Sequence, residues 1–190
     1  MTTCKKTFIV AVFVSFAFAL LGATERLSSP SGDVSVSFET SPQGMFWSLS
    51  RKGATIVGRS LIDIDFIGAK QFGEMAVVSR ETHRSDSTWT NRLYKREIVR
   101  DRYSEMELRL KETSQPCREF GIVFRAYDEG VAFRYVIPEQ PGVPGFQLKG
   151  ELTEWNFPEE SDGWFTTYGS VKTSQEAKFK KRKLSSLGKD

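Results

Sequence analysis

Four pairs of neighbouring carboxylates are the residues whose types and spacing could carry acid–base chemistry in this sequence. Hydrolysis of a glycosidic bond, for example, uses two carboxylates about 5–9.5 Å apart. The pairs are Asp63/Asp65, Asp128/Glu129, Glu151/Glu154 and Glu159/Glu160. Their local sequences predict structural roles instead: the solvent face of a strand for the first, a turn for the second and a polar loop for the last. We therefore assign no catalytic residue in this chain.

The sequence offers few histidine or cysteine residues that could form a metal site or a catalytic nucleophile. His83 is the only histidine, so neither a multi-histidine metal site nor a serine–histidine triad has enough members. Thr82-His83-Arg84 is predicted to end a strand. Cys117 follows Pro116 in a loop or at a strand edge, and nothing around it in the sequence would activate a thiolate.

The first 23 residues are typical of an export signal. Lys5 and Lys6 precede an apolar run from Thr7 to Leu21, and Ala23 supplies a small residue for cleavage. The run is too short for a membrane span, so we predict a signal peptide over residues 1–23 and a periplasmic or secreted protein. Acidic residues outnumber basic ones over residues 24–177, which disfavours a nucleic-acid partner.

Period-2 alternation predicts an antiparallel, all-β fold. Val34, Val36 and Phe38 alternate with serines, and this pattern indicates a strand with one buried face. Many short strands separated by glycine and proline turns indicate a β-sandwich over residues 24–170. The further predicted strands are 45–50, 62–66, 75–82, 92–99, 105–111, 119–127, 131–137, 146–149 and 152–157. Turn signals include Ser31-Gly32-Asp33 and residues 141–145.

The segment from Phe120 to Ile137 is predicted to be a hairpin. We expect a three-residue loop at Asp128–Gly130 with Gly130 in the left-handed conformation. This register places Arg125 opposite Phe133 and Phe124 opposite Arg134. We expect a two-residue loop to place Arg125 opposite Arg134, and it is disfavoured because facing like charges destabilise a sheet.

Residues 171–190 differ from the rest of the chain. The stretch from Thr173 to Leu187 combines good helix formers with a run of lysines. The composition fits either one short helix or an extended linker.

The hairpin sequence Phe124-Arg-Ala-Tyr-Asp-Glu-Gly-Val-Ala-Phe-Arg-Tyr135 resembles a motif of the N-terminal domain of glycoside hydrolase family 97. Shorter segments agree with that family in the same order, and the resemblance runs from about Leu27 to Leu187. These segments are Leu27–Gly32, Ser60-Leu61, Ser87–Trp89, Ile98–Tyr103 and Glu151–Trp155.

The resemblance implies an antiparallel β-supersandwich similar to galactose mutarotase. In that family this domain precedes a (β/α)8 barrel, which carries the catalytic carboxylates and most calcium ligands of an α-glucosidase or α-galactosidase. One calcium ligand resembles a glutamate just before the barrel, and Glu176 occupies that place here. Glu176 alone cannot supply the 6–8 oxygen ligands of a calcium site, so the chain alone is expected to hold no cofactor. Residues 171–190 would be a linker toward a barrel that this chain lacks.

Tryptophan side chains are the candidates for carbohydrate contact. We expect Trp47, Trp89 and Trp155 to lie in the core or a domain interface. Trp164 follows Gly163 in a predicted loop, where it could stack on a sugar ring of an α-linked oligosaccharide. The function implied is a non-catalytic domain that supports the barrel or binds carbohydrate during hydrolysis of α-glucosides or α-galactosides. A stand-alone carbohydrate-binding module is the alternative, and a mutarotase-like epimerase ranks last because His83 has no partner.

Overall fold

A computed structural model describes residues 24–68, 70–93, 95–140 and 145–187. The predicted signal peptide and most of the predicted turn at 141–145 lie outside the described residues. Within these ranges the chain forms antiparallel strands and one short 3-10 turn. The strands are β1 (Thr24–Ser28), β2 (Val34–Ser41), β3 (Gly44–Arg51), β4 (Ala54–Leu61), β5 (Ile64–Ile67), β6 (Met75–Thr90), β7 (Ile98–Glu112), β8 (Glu119–Ala126), β9 (Val131–Val136), β10 (Gln147–Glu151), β11 (Asp162–Phe165) and β12 (Lys180–Lys183).

Two four-stranded meanders form the sandwich. The first sheet has the order β1-β2-β3-β4 and the second has the order β6-β7-β8-β9. Strand β2 buries Val34, Val36 and Phe38 and turns its serines outward, as the alternation predicts. The all-β antiparallel fold expected from the sequence is confirmed. Two shorter ladders, β5 with β10 and β11 with β12, complete the described structure.

The core lies between the two meanders and is rich in aromatic rings. The ring of Phe38 from the first sheet lies 5.9 Å from that of Phe124 in the second. Met106, Leu108 and Leu110 of β7 are fully buried beside them. Because buried apolar side chains alternate with polar ones along β2 and β7, each sheet contributes an apolar face to the core.

The β8–β9 hairpin has a register one residue away from the predicted one. Tyr127 and Gly130 exchange backbone hydrogen bonds of 2.8 and 3.3 Å, so only Asp128 and Glu129 form the loop. Gly130 does not adopt the left-handed conformation that we expected.

The physical reason for the observed register is core packing. It places Phe124 opposite Phe133 and Arg125 opposite Ala132. In the predicted register Arg134 would stand opposite the buried Phe124, which would place its charged side chain in the core. A slip by one residue moves every side chain of a strand to the other face. Arg125 still finds an aromatic ring, but on β7: its guanidinium lies 4.2 Å from the centre of Tyr103.

Three further segments differ from the sequence-based expectation. Between β6 and β7 the Asn91 N–H donates to the Glu97 carbonyl (2.7 Å), so the predicted strand 92–99 is replaced at its start by a loop and β7 begins at Ile98. Residues 152–157 follow β10 without forming a regular strand. In the C-terminal segment, residues 180–183 form β12 and 184–186 form the 3-10 turn, and no α-helix is present among its described residues. The structure describes no helix that is long and apolar enough to span a membrane.

Candidate domain interface

The segment 151–157 is held across the end of the sandwich by polar contacts. The backbone N–H groups of Leu152 and Glu154 donate to the carbonyls of Asp63 and Leu61 at 2.9 and 2.8 Å. A carboxylate oxygen of Glu154 accepts from the Leu61 N–H (3.2 Å) and from the Asn156 side chain (3.0 Å). These bonds satisfy the backbone without a regular ladder and fix the side chains of this segment in place.

Trp155 lies on a base of buried rings. Its ring meets Trp47 edge-on at 4.7 Å and stacks on Phe133 at 6.1 Å. Trp47 is 2% exposed, whereas Trp155 is 52% exposed. The Trp47 indole N–H also donates to the Glu154 carbonyl (3.2 Å). The core location expected for Trp47 is confirmed, and Trp155 presents a supported flat face to the outside.

Beside Trp155, the side chains of Tyr135, Thr153 and Glu151 form a chain of hydrogen bonds. The Thr153 hydroxyl donates to Glu151 (2.7 Å), so the hydrogen bond between the hydroxyls of Tyr135 and Thr153 must use the Tyr135 proton. Burial raises the pKa of Tyr135 to about 12, and the carboxylates of Glu151 and Asp63 add to that rise. Burial also raises the pKa of Asp63, with a smaller contribution from Asp65. Tyr135 is therefore a neutral donor at physiological pH.

At least one member of each carboxylate pair singled out in the sequence has a structural partner. Asp128 accepts from the Ser31 N–H (2.9 Å), and Glu160 accepts from the Ser185 N–H (3.2 Å). Asp65 forms an ion pair with Lys149 at 2.9 Å. Asp63 is half-buried and accepts from the Ile64 N–H (2.8 Å), and like Asp65 it alternates with the buried Ile62, Ile64 and Phe66.

Trp164 lies in β11 and not in a loop as predicted. Strand β11 pairs with β12 so that Trp164 faces Lys181 and Asp162 faces Lys183. Asp162 binds the ammonium groups of both lysines, at 3.0 and 2.9 Å, which offsets repulsion within the lysine run. The Phe165 ring covers Gly163 so closely that a side chain there would clash. The Trp164 ring itself is 67% exposed.

Exposed apolar side chains concentrate in the C-terminal part of the described chain. More than half of the large ones lie between residues 146 and 187, although this part forms few strands. They are Phe146, Leu148, Leu152, Trp155, Phe157, Trp164, Tyr168, Val171, Phe179 and Leu187. Soluble monomers rarely expose extended apolar surface without a binding role. We call these ten side chains the C-terminal apolar set.

Glu176, the expected calcium ligand, is exposed in an irregular segment. Its N–H donates to the Ser174 hydroxyl at 3.5 Å, and the neighbouring Gln175 has a left-handed φ of 55°. Across the described ranges, no three Asp, Glu, His or Cys side chains converge as a metal-binding group. The role of Glu176 in binding calcium stays a prediction.

His83 and Cys117 lie apart from this surface. His83 is exposed on β6. Cys117 is half-buried in the turn after β7, where its N–H donates to the Ser114 carbonyl (2.9 Å), and its thiol is free. The sequence assigned no role to Tyr135 or Thr153 in the candidate interface, and it named Glu154 only as a member of a carboxylate pair. The alternation in Glu151-Leu-Thr-Glu-Trp155 was their only signal, and it predicted a strand rather than a hydrogen-bonded relay.

The described residues thus form an antiparallel all-β sandwich with an exposed apolar set in its C-terminal part. Residues 27–190 match the family model described as Glycosyl-hydrolase 97 N-terminal. The chain therefore belongs to the N-terminal domain family of glycoside hydrolase family 97.

Known proteins that resemble the chain are much longer than it is. A retaining alpha-galactosidase of Bacteroides thetaiotaomicron is 25% identical over 135 residues, which cover 70% of this chain and 19% of the enzyme. A family 97 enzyme of Pseudoalteromonas sp. strain K8, solved in complex with panose, superimposes with a TM-score of 0.71 at 21% identity. The match covers 75% of this chain and 22% of the enzyme. A beta-arabinopyranosidase superimposes with a TM-score of 0.70 at 21% identity, and the match covers 82% of this chain and 26% of that protein. The chain spans about a fifth to a quarter of these relatives.

Proposed function

We propose that this chain is a non-catalytic domain that supports the catalytic barrel of an exported glycosidase acting on α-glucosides or α-galactosides. The observation that carries the proposal is the C-terminal apolar set, which lies in the part of the domain that leads toward the barrel in family 97. Covering it would bury apolar area worth about 25 cal/mol per Å². Calcium would be held mainly by barrel carboxylates, with Glu176 contributing one ligand.

The relatives support this assignment through their length and their ligands. About three-quarters or more of each relative lies outside the matched part, and one of them was solved in complex with panose. A family 97 enzyme of Pseudoalteromonas was also solved with acarbose. The carboxylates of Asp65, Asp128, Glu154 and Glu160 are engaged in ion pairs and hydrogen bonds within the domain, which supports a non-catalytic role.

Replacing Trp164 and Phe179 together by serine is expected to reduce binding of a hydrophobic dye such as ANS by about half. Both side chains are more than half exposed, so their loss removes apolar surface without opening the core. The matched control replaces Trp89 and Ile98, which are 51% and 71% exposed at the far end of the β6–β7 hairpin. That control should leave the dye signal nearly unchanged.

Two results would contradict the proposal. Equal loss of dye binding in both double variants would show that the C-terminal apolar set is not a distinct surface. Release of p-nitrophenol from α-galactoside or α-glucoside substrates by the purified chain would show that it carries its own catalytic groups.

A carbohydrate-binding module is the second candidate, and the exposure of Trp164 favours it. An indole ring standing free on a strand can stack on the C–H face of a pyranose. Under this candidate the purified chain should bind panose or galactose at millimolar concentration, and Trp164→Ala should abolish binding while Trp89→Ala preserves it. Isothermal titration of both variants decides the matter, and no heat from the unmodified chain would remove this candidate.

A further inference from the structure

A cleft of about 440 Å³ lies between the free edge of β1 and the inner face of β6. It is remote in sequence from the C-terminal apolar set. The cleft exists because the first sheet ends at β1, so the part of β6 beyond it has no strand packed on top. Its lining includes Arg26, Ser28, Arg80, Thr82, Arg84 and Ser104.

The strand register places the cationic side chains on one face. Arg80, Thr82 and Arg84 stand opposite Leu108, Met106 and Ser104 of β7. Because facing residues in an antiparallel pair share a face, β6 carries polar groups on the same side on which β7 carries core residues. This inner face therefore changes from apolar on β7 to cationic on β6, and Leu27 and His83 also line the cleft.

Two of the guanidinium groups in the cleft have no acidic partner. Arg80 binds Glu25 at 2.8 Å and also donates to the Arg26 carbonyl at 3.2 Å. Arg26 and Arg84 form no ion pair among the described residues. The nearby acids are occupied elsewhere: Asp86 pairs with Arg100 at 2.6 Å, and Glu105 pairs with Arg125 at 2.5 Å. The cleft therefore holds uncompensated positive charge.

Ser104 provides an independent sign that a polar ligand belongs here. Its side chain is 2% exposed, and its hydroxyl is the buried side-chain group among the described residues that has no hydrogen-bond partner. Buried hydroxyls are nearly always satisfied, since an unmade bond costs the full desolvation of the group. The register directs this hydroxyl to the same face as Arg84.

We propose that this cleft binds an oxyanion, namely the sulfate or phosphate group of a small ligand. Guanidinium groups bind tetrahedral oxyanions through paired, charge-assisted hydrogen bonds, and the hydroxyls of Ser28, Thr82 and Ser104 supply neutral donors. A cleft of this volume is within the range of small-molecule sites and has room for a sugar that carries the anionic group. Nothing in the barrel-supporting role requires such a site.

The test titrates the purified chain with inorganic sulfate, inorganic phosphate, galactose 6-sulfate and galactose, followed by NMR shifts of backbone amides in β1 and β6. We expect saturable shifts with the anions and none with galactose. Arg26→Gln and Arg84→Gln should each weaken anion binding about tenfold, whereas Arg51→Gln, an exposed arginine at the end of β3, should leave it unchanged. Tighter binding of galactose 6-sulfate than of inorganic sulfate would identify a sugar ester as the source of the anion.

Ser104→Ala separates ligand binding from a structural role. If the Ser104 hydroxyl donates only to the bound anion, the variant should lose anion affinity. In ligand-free buffer it should unfold at the same or a higher temperature than the unmodified chain. The proposal is overturned if no anion shifts the β1 and β6 amides at 20 mM, if galactose shifts them equally, or if Arg51→Gln weakens binding as much as Arg84→Gln.

Discussion

Replacing Arg118 by methionine is expected to lower the free energy of unfolding by about 3–5 kcal/mol, because it leaves the carboxylate of Glu112 buried without its counter-charge. The two side chains are 6% and 3% exposed and form a bidentate pair at 2.7 and 2.9 Å. Arg118 also donates to the carbonyls of Lys70 and Gln71, both at 2.8 Å. The pair thus ties the chain before β6 to the turn between β7 and β8. Urea denaturation of the single variant measures the loss.

A double variant and a surface pair provide the controls. Arg118→Met combined with Glu112→Leu should recover part of the loss, because no unpaired buried charge remains. Arg109 and Glu119 form an exposed pair at 3.3 Å on the neighbouring strands β7 and β8. Arg109→Met should cost less than about 1 kcal/mol. A loss of similar size at Arg109 and Arg118 would contradict the importance of burial.

The acid limb of the stability profile tests the same pair. Burial tends to raise the pKa of Glu112, but hydrogen bonds from Arg118 and from the Gly73 N–H outweigh it, and the net pKa lies below the ordinary 4.5. A carboxyl with a lowered folded-state pKa contributes stability above about pH 4.5 that is lost as the pH falls through the folded value. Arg118→Met should remove this part of the acid sensitivity.

The sequence predicted those strands that bury one face. In β2 the alternation of Val34, Val36 and Phe38 with serines is visible because the inner side is wholly apolar. Strand β6 has no such pattern beyond Val77, since its inner face carries Arg80, Thr82 and Arg84, and its full length was underestimated. The lysine-rich β12 was hidden for another reason: pairing with Asp162 in β11 decides its conformation, and single-residue helix propensity cannot report a tertiary contact.

The candidate interface was predictable by residue type but not by position. Trp164 was singled out because it follows Gly163 in a predicted loop; the structure shows it exposed, but in a strand. The sequence did not distinguish the buried Trp47 from the half-exposed Trp155, because both lie in strand-like segments. Arg118 and Glu112 carried no signal, since only the turn between β7 and β8 brings them together. The register of the β8–β9 hairpin depended on which side of Phe124 the core lies, and this is decided by the opposite sheet.

Truncation of Trp47 to alanine is the second change for which we expect a large effect, a loss of about 3–5 kcal/mol in unfolding free energy. The indole is buried between Phe133, at 5.3 Å, and Trp155, at 4.7 Å, and its N–H holds the Glu154 carbonyl. Removing the indole opens a cavity in the core and deletes the ring on which Trp155 packs. Near-ultraviolet circular dichroism should lose intensity together with the drop in the denaturation midpoint.

Two variants separate the contributions of Trp47. Trp47→Phe keeps a ring but leaves the Glu154 carbonyl without its donor, which should cost about 1–3 kcal/mol. Trp155→Ala should cost less than half as much as Trp47→Ala, because half of that ring is already in water. If Trp47→Ala stayed within 1 kcal/mol of the unmodified chain, the 151–157 segment would not depend on the core beneath it. We expect Trp47→Ala to lower the free energy of unfolding more than either Trp47→Phe or Trp155→Ala. That order would show that the Trp155 ring is held in place by the core beneath it. A partner that packs against Trp155 would then contact a rigid surface and lose little side-chain entropy on binding.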